Sequence, residues 1–225
     1  SVNTTAGFSI IKYIGNGSTG QQIPHHLGAV PHLIILKPLD AADHWRVYHH
    51  KLDSSAPEEY FLRLQTTGAK ADSNDIWSDT APTSSVFTVG NNSGVNANDQ
   101  NFIAYVFTEK TGYSKFGSFV GNNSNDGPFI YCGFKPKFVM VKNTHDATNW
   151  SITDDKRAGF NVDNDIIYAN TNGAEDGSYQ PIDHLSNGFK IRLNTEGYNG
   201  NGGDYIYMAF GQSLVGSNNV PCTAR

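Results

Sequence analysis

A tryptophan set among short polar side chains is the most direct chemical signal in this chain. Trp77 stands in Asn74-Asp75-Ile76-Trp77-Ser78-Asp79. An indole face can stack on a sugar ring while Asn74, Asp75 and Asp79 take its hydroxyls. The competing reading has Trp77 plugging a sandwich edge or a subunit interface, because so large a side chain gains much from burial. Asn- and Gly-rich tips at 91–98, 122–126 and 199–203 are further candidates, since binding residues concentrate on loops held by a rigid frame. Asn96, Asn199 and Asn201 are the tip residues selected for ligand binding.

Other chemistries find weaker footing. Histidines crowd the first half, at His25, His26, His32, His44, His49 and His50, and only His145 and His184 follow. Their spacing matches no familiar zinc framework, so the reading is surface or partly buried imidazoles and no metal. Asn161-x-Asp163-Asn164-Asp165 has oxygen ligands suited to Ca²⁺, but lacks the ordered loop of a calcium hand; a solvated turn is favoured. The expectation is therefore no cofactor, with Ca²⁺ the open alternative. Asp154-Asp155 and Asp163-x-Asp165 could hydrolyse glycosides at a suitable separation, yet adjacent residues of a strand point to opposite faces. With no Gly-x-Ser-x-Gly elbow, His-Glu-x-x-His helix or phosphate loop, the chain reads as a non-enzyme.

Composition narrows the partners. A net charge of −5 without a basic cluster argues against nucleic acid, whose phosphates need Lys and Arg. No run of 18 or more apolar residues is present, so neither a transmembrane helix nor a signal peptide is expected. Asn, Gly, Ser and Thr make up about a third of the chain, but 3 Trp, 11 Tyr and 13 Phe suffice for a core. Cys132 and Cys222 are read as two thiols in preference to a disulfide pinning the tail.

The elements that must position these groups are strands. In the first half they are expected at Phe8–Ile14, Leu33–Lys37, Trp45–His49, Tyr60–Gln65, Val86–Val89 and Phe102–Phe107. In the second they are expected at Phe116–Val120, Phe138–Lys142, Trp150–Thr153, Asp165–Ala169, Phe189–Leu193 and Tyr205–Phe210. Phe189, Ile191 and Leu193 alternate with Lys190 and Arg192, the period of a strand with one wet face. Leu33–Leu36 and Phe138–Val141 are apolar throughout and belong at the centre of the packing. Asn-Gly turns at 16–17, 172–173 and 187–188 punctuate the strands.

The two halves carry the same pattern. Gly28-x-x-Pro31, Leu33–Lys37 and Trp45 recur 105 positions later as Gly133-x-x-Pro136, Phe138–Lys142 and Trp150. Such a match reads as a tandem duplication, in which recurring residues are scaffold and single-copy residues carry function. Trp45 and Trp150 are accordingly assigned to core packing. The fold class expected is all-β: two tandem homologous β-sandwich repeats, jelly-roll-like, over residues 7–107 and 112–210 and packed as one rigid unit because only Thr108–Thr111 separates them. Residues 211–225 read as a C-terminal arm.

Three strings are specific enough to carry a resemblance: Gly112-Tyr113-Ser114-Lys115-Phe116-Gly117-Ser118-Phe119-Val120-Gly121-Asn122, Leu185-Ser186-Asn187-Gly188-Phe189-Lys190, and Tyr205-Ile206-Tyr207-Met208-Ala209-Phe210. Over roughly Gly7 to Gly211 the chain resembles an uncharacterised repeat domain of predicted tail-fibre and other virion proteins of bacteriophages, notably phages of marine bacteria. The resemblance implies a place on the virion surface, outside the host cell, and a structural or adhesive role; it carries no site residues. The expected partners are a host cell-surface glycan or receptor and other virion proteins, with no membrane insertion and a homo-oligomer, a trimer being favoured. The alternatives are a capsid-decorating or tube-assembling subunit, and a secreted cellular lectin or filament subunit.

Overall fold

The apolar run Leu33-Ile34-Ile35-Leu36 has no wet face, and it lies in the middle of the larger sheet of the first of two units, 1–109 and 110–225. A computed structural model describes residues 1–157 and 165–213. Strands of the first unit are β1 (Val2–Asn3), β2 (Phe8–Ile14), β3 (Gln21–Pro24), β4 (Leu33–Pro38), β5 (Arg46–His49), β6 (Tyr60–Arg63), β7 (Ala71–Asp72), β8 (Val86–Val89) and β9 (Asn101–Phe107). Seven form an antiparallel sheet in the order β1-β2-β9-β4-β5-β6-β7, and β3 pairs with β8 in a separate two-stranded sheet. Two short helices, α1 (Asn74–Trp77) and α2 (Ser93–Asn96), flank β8.

Alternate side chains of each sheet meet in one core. Ile34, Leu36, Tyr48, Phe102, Ala104 and Val106 from the large sheet pack with Ile23, Phe87 and Val89 from the small one. Each of the Ile, Leu, Val and Phe side chains among them contributes about 1.5–3 kcal/mol by leaving water. The chain is thus all-β and sandwich-like, as its patterning predicts.

The second unit contains β10 (Ser114–Val120), β11 (Phe129–Tyr131), β12 (Phe134–Asn143), β13 (Ser151–Asp154), β14 (Ile167–Tyr168), β15 (Ile182–Leu185), β16 (Gly188–Ile191) and β17 (Asp204–Ser213). Its five-stranded sheet has the order β10-β17-β12-β13-β14, and β11-β16-β15 make a three-stranded sheet. Phe134, Val139, Val141, Phe189, Ile191, Tyr205 and Tyr207 fill its core. The order β2-β9-β4-β5-β6 of the first unit thus corresponds, strand by strand, to β10-β17-β12-β13-β14 of the second.

Two expectations need correction. Trp45 and Trp150 do have matching backbone surroundings. Their amides donate to Gln65 Oε1 at 3.0 Å and Asn170 Oδ1 at 2.8 Å, and their carbonyls accept from Leu64 at 3.1 Å and Ala169 at 3.0 Å. Trp150 is buried at 4 % exposure, as a packing residue should be, and the correction falls on Trp45 alone. Trp45 is only half-buried and lies at 6.3 Å from the Tyr105 ring, because its strand parity turns it to the other face of the large sheet. The expected arm also begins too early: Gly211–Ser213 continue β17 and pair with Phe134–Pro136. The remainder of the arm, 214–225, with Cys222, lies outside the described residues; Cys132 is buried, its thiol directed at the Ile130 carbonyl at 3.9 Å.

Candidate functional site

Trp77 does not present its face to solvent. It is 2 % exposed and lies within the first unit's core, edge-on to Tyr48 at a ring separation of 6.0 Å. Helix α1 puts Ile76 and Trp77 on the buried side together, so an indole sunk this deep cannot stack on a sugar. Asp75 is equally committed to structure. Its carboxylate accepts from the Ser73 hydroxyl and from Asn92 Nδ2 at 2.8 Å. Burial opposes its charge, but those hydrogen bonds and the nearby Arg46 outweigh burial and hold it below the usual carboxylate range. Asn74 and Asp79 remain exposed.

Asn96 and Asn199 are also corrected, for the same reason: both have no exposure. Asn96 Oδ1 accepts from the Asn16 amide at 2.8 Å, and its Nδ2 donates to the Ser18 and Gly90 carbonyls at 2.8 Å each. Asn199 repeats the arrangement, accepting from the Asn122 amide at 2.7 Å and donating to the Ser124 carbonyl at 2.7 Å. A buried amide with every polar atom satisfied is a latch on loop backbone, unable to take a ligand. Of the tip residues selected from sequence, only Asn201 is exposed.

A surface that could hold a small polar molecule lies in the second unit. Asn125, Ser178, Tyr179, Gln180, Arg192 and Leu193 line an open groove of about 380 Å³. Tyr179 is 48 % exposed. The Arg192 amide donates to the Pro181 carbonyl at 2.8 Å, which ties 178–181 alongside the end of β16. The Arg192 side chain sits 3.2 Å from Asp183 Oδ2, which orients the guanidinium. Asn125 Oδ1 accepts from the Asn194 amide at 3.2 Å and closes the rim.

A sheet face of the same unit has the same character. In β11, Ile130 points into the core while Phe129 and Tyr131 stand 47 % and 61 % exposed. Lys190, directly opposite Phe129, pairs with Asp126 at 2.8 Å. Exposed aromatic rings among oriented amides, a guanidinium and hydroxyls can stack on a pyranose and hydrogen-bond its rim. Asn125 falls within a tip that sequence reasoning singled out. Tyr179, Gln180, Arg192, Phe129 and Tyr131 were missed, although Phe129-Ile130-Tyr131 carries a period-2 aromatic signal.

Among the described residues, one set of possible metal ligands converges: His32, His50 and Glu109. Asn161, Asp163 and Asn164 of the Ca²⁺ alternative lie outside the described residues. Asp154 accepts from Arg157 Nε at 2.9 Å and Asp155 is paired with Lys137, so the adjacent carboxylates serve separate ion pairs. No helix among the described residues is long and apolar enough to cross a membrane.

Fold and groove together define an all-β, two-unit sandwich protein with an aromatic polar groove on its second unit. The chain belongs to the family described as a domain of unknown function, DUF7483, whose profile matches residues 1–213. No curated protein and no solved structure matches it.

Proposed function

We propose that this chain is a non-enzymatic binding module of a bacteriophage virion surface that holds a host cell-surface glycan in the Tyr179 groove. The observation that carries the reading is the groove's make-up: an exposed phenol beside Asn125, Gln180, Ser178 and an oriented Arg192. The virion location rests on the resemblance set out above, and the matching strand orders favour descent of the two units from one duplicated ancestor. Each contact is weak. Adhesion gains strength when several copies, in a homo-oligomer such as a trimer, engage one cell together. No nucleic acid and no inserted membrane segment enters this mechanism. The test is a glycan array and whole-cell binding assay with purified oligomer: binding that Tyr179→Ala and Arg192→Ala abolish supports it, and silence in both assays overturns it.

A second reading is structural, as a capsid-decorating or tube-assembling subunit. It draws on β11, an edge strand of its sheet that carries two exposed aromatics. Phe129→Ser with Tyr131→Ser separates the readings: lost particle assembly favours the structural role, and lost attachment by intact particles favours adhesion.

A further inference from the structure

Three adjacent strands of the first unit end side by side, and a potential ligand stands at each end. His32 immediately precedes β4, His50 immediately follows β5, and Glu109 lies two residues beyond β9. These strands are neighbours in the order β9-β4-β5, and Leu33 is in register with both His49 and Phe107. The antiparallel ladder therefore brings the three residues to one corner of the sheet.

Their backbones are fixed there. The His32 amide donates to the Phe107 carbonyl at 2.8 Å, and the His50 amide donates to the His32 carbonyl at 2.9 Å. The two imidazoles meet edge to face, centroids 4.5 Å apart and planes at 81°. One ligand atom from each of the three residues lies within 4.8 Å of the others, and all three side chains are half-buried.

The second unit shows that this corner is a position where side-chain chemistry has been changed on a constant frame. There the Asp155 amide donates to the Lys137 carbonyl at 3.2 Å, the counterpart of the His50–His32 bond. Phe138 pairs with both Asp154 and Phe210, as Leu33 pairs with both His49 and Phe107. What stands at the two histidine positions is a Lys137–Asp155 ion pair. One copy closes the corner with opposite charges; the other places two imidazoles and a carboxylate.

We infer that His32, His50 and Glu109 form a binding site for a divalent transition-metal ion of the Zn²⁺ class, an inference independent of the glycan reading. Imidazole with carboxylate suits Zn²⁺ and its neighbours, whereas Ca²⁺ takes oxygen ligands only. Ligand atoms around a tetrahedral Zn²⁺ stand about 3.4 Å apart at bond lengths near 2.1 Å. Side-chain rotation closes that difference while the strands hold still. Three protein ligands leave a fourth position for water or an external donor. Thr108 Oγ1, 3.2 Å from His32 Nδ1, can accept a hydrogen bond from the Nδ1–H once the ion takes Nε2, with the Glu109 amide, which donates to Nδ1 at 3.2 Å, giving way.

The experiment is a titration of tag-free, full-length apo protein with Zn²⁺ by calorimetry and with Co²⁺ by visible absorption. One saturating equivalent per chain is expected. His32→Ala or His50→Ala should weaken it at least tenfold and Glu109→Gln by a smaller factor, while His44→Ala leaves it unchanged. Should an alanine variant fail to fold, the joint substitution His32→Lys with His50→Asp decides, because it imports the second unit's pair onto the same backbone; it should fold and bind no metal. Absence of a saturating equivalent in the wild type, or undiminished binding in either histidine variant or in the swap, overturns the inference.

Discussion

Asn122 and Asn199 exchange two hydrogen bonds: the Asn122 amide donates to Asn199 Oδ1 at 2.7 Å, and Asn199 Nδ2 donates to Asn122 Oδ1 at 2.8 Å. Asn16 and Asn96 make the same exchange in the first unit, at 2.8 and 3.2 Å. Replacing Asn96 or Asn199 by Ala leaves buried backbone groups without their partners. Each variant should lose about 1–3 kcal/mol or more of unfolding free energy in urea. A variant as stable as wild type would refute the latch.

Trp77→Ala empties a core position and should cost about 3–5 kcal/mol. Trp77→Phe, which keeps most of the volume, should cost less and leave glycan binding untouched. Selective loss of glycan binding in a fully stable Trp77→Phe variant would return Trp77 to the surface role that its loop context suggests.

Tyr179→Ala and Arg192→Ala should change stability by no more than about 0.5 kcal/mol, as substitutions on an exposed surface do. In the proposed role each should reduce adhesion by multimer at least tenfold. Equal adhesion by wild type and both variants would remove the groove from the account.

Acid should weaken the fold through two buried imidazoles. Burial lowers the pKa of both His25 and His184, despite hydrogen bonds to the Thr83 and Pro136 carbonyls that favour the charged ring. Below about pH 6.5 the unfolded chain takes up protons that the folded chain refuses, so stability falls as pH drops until the folded values are reached. Urea midpoints between pH 7.5 and 5 should decline, and His184→Gln should flatten the decline. A wild-type midpoint constant across that range would contradict it.

Lys142 gives a slope of the same sign at alkaline pH. It has no exposure, and burial pushes its amine down to about 8 even though Asp146 lies near. Between pH 8 and about 10.4 the unfolded chain keeps a proton that the folded chain has lost, so this group adds stability as pH rises. Lys142→Met should abolish that increment, measured as the difference between unfolding free energies at pH 8 and 10. An identical increment in the variant would show the amine to be solvated.

Much of the frame was legible because packing writes itself into pattern. The fully apolar runs at Leu33–Leu36 and Phe138–Val141 became inner strands, and the recurring lysines after them serve one purpose: Lys37 and Lys142 each donate to the carbonyl of the next residue, at 2.7 and 2.6 Å. Strands β3, β11 and β15 left little trace, since Gln21-Gln22-Ile23-Pro24 has a single core residue and β11 only three residues in all. Trp77 was misleading because local composition describes its neighbours in sequence, whereas its depth is set by Tyr48 and the rest of the core. Asn96 and Asn199 carried the correcting signal in their own recurrence, which marks scaffold. The groove could not be read, because residues 125, 178–180 and 192–193 meet only when the chain is folded.

The Lys137–Asp155 corner and its histidine counterpart make one further point about how this architecture can change. Two chemically unrelated solutions sit on one ladder geometry, so the residue before β4 and the bulge of β12 at Lys137 behave as sockets that accept new side chains without disturbing the strands behind them. A protein built this way can acquire or discard an ion by two or three substitutions, leaving its other half as the unaltered control.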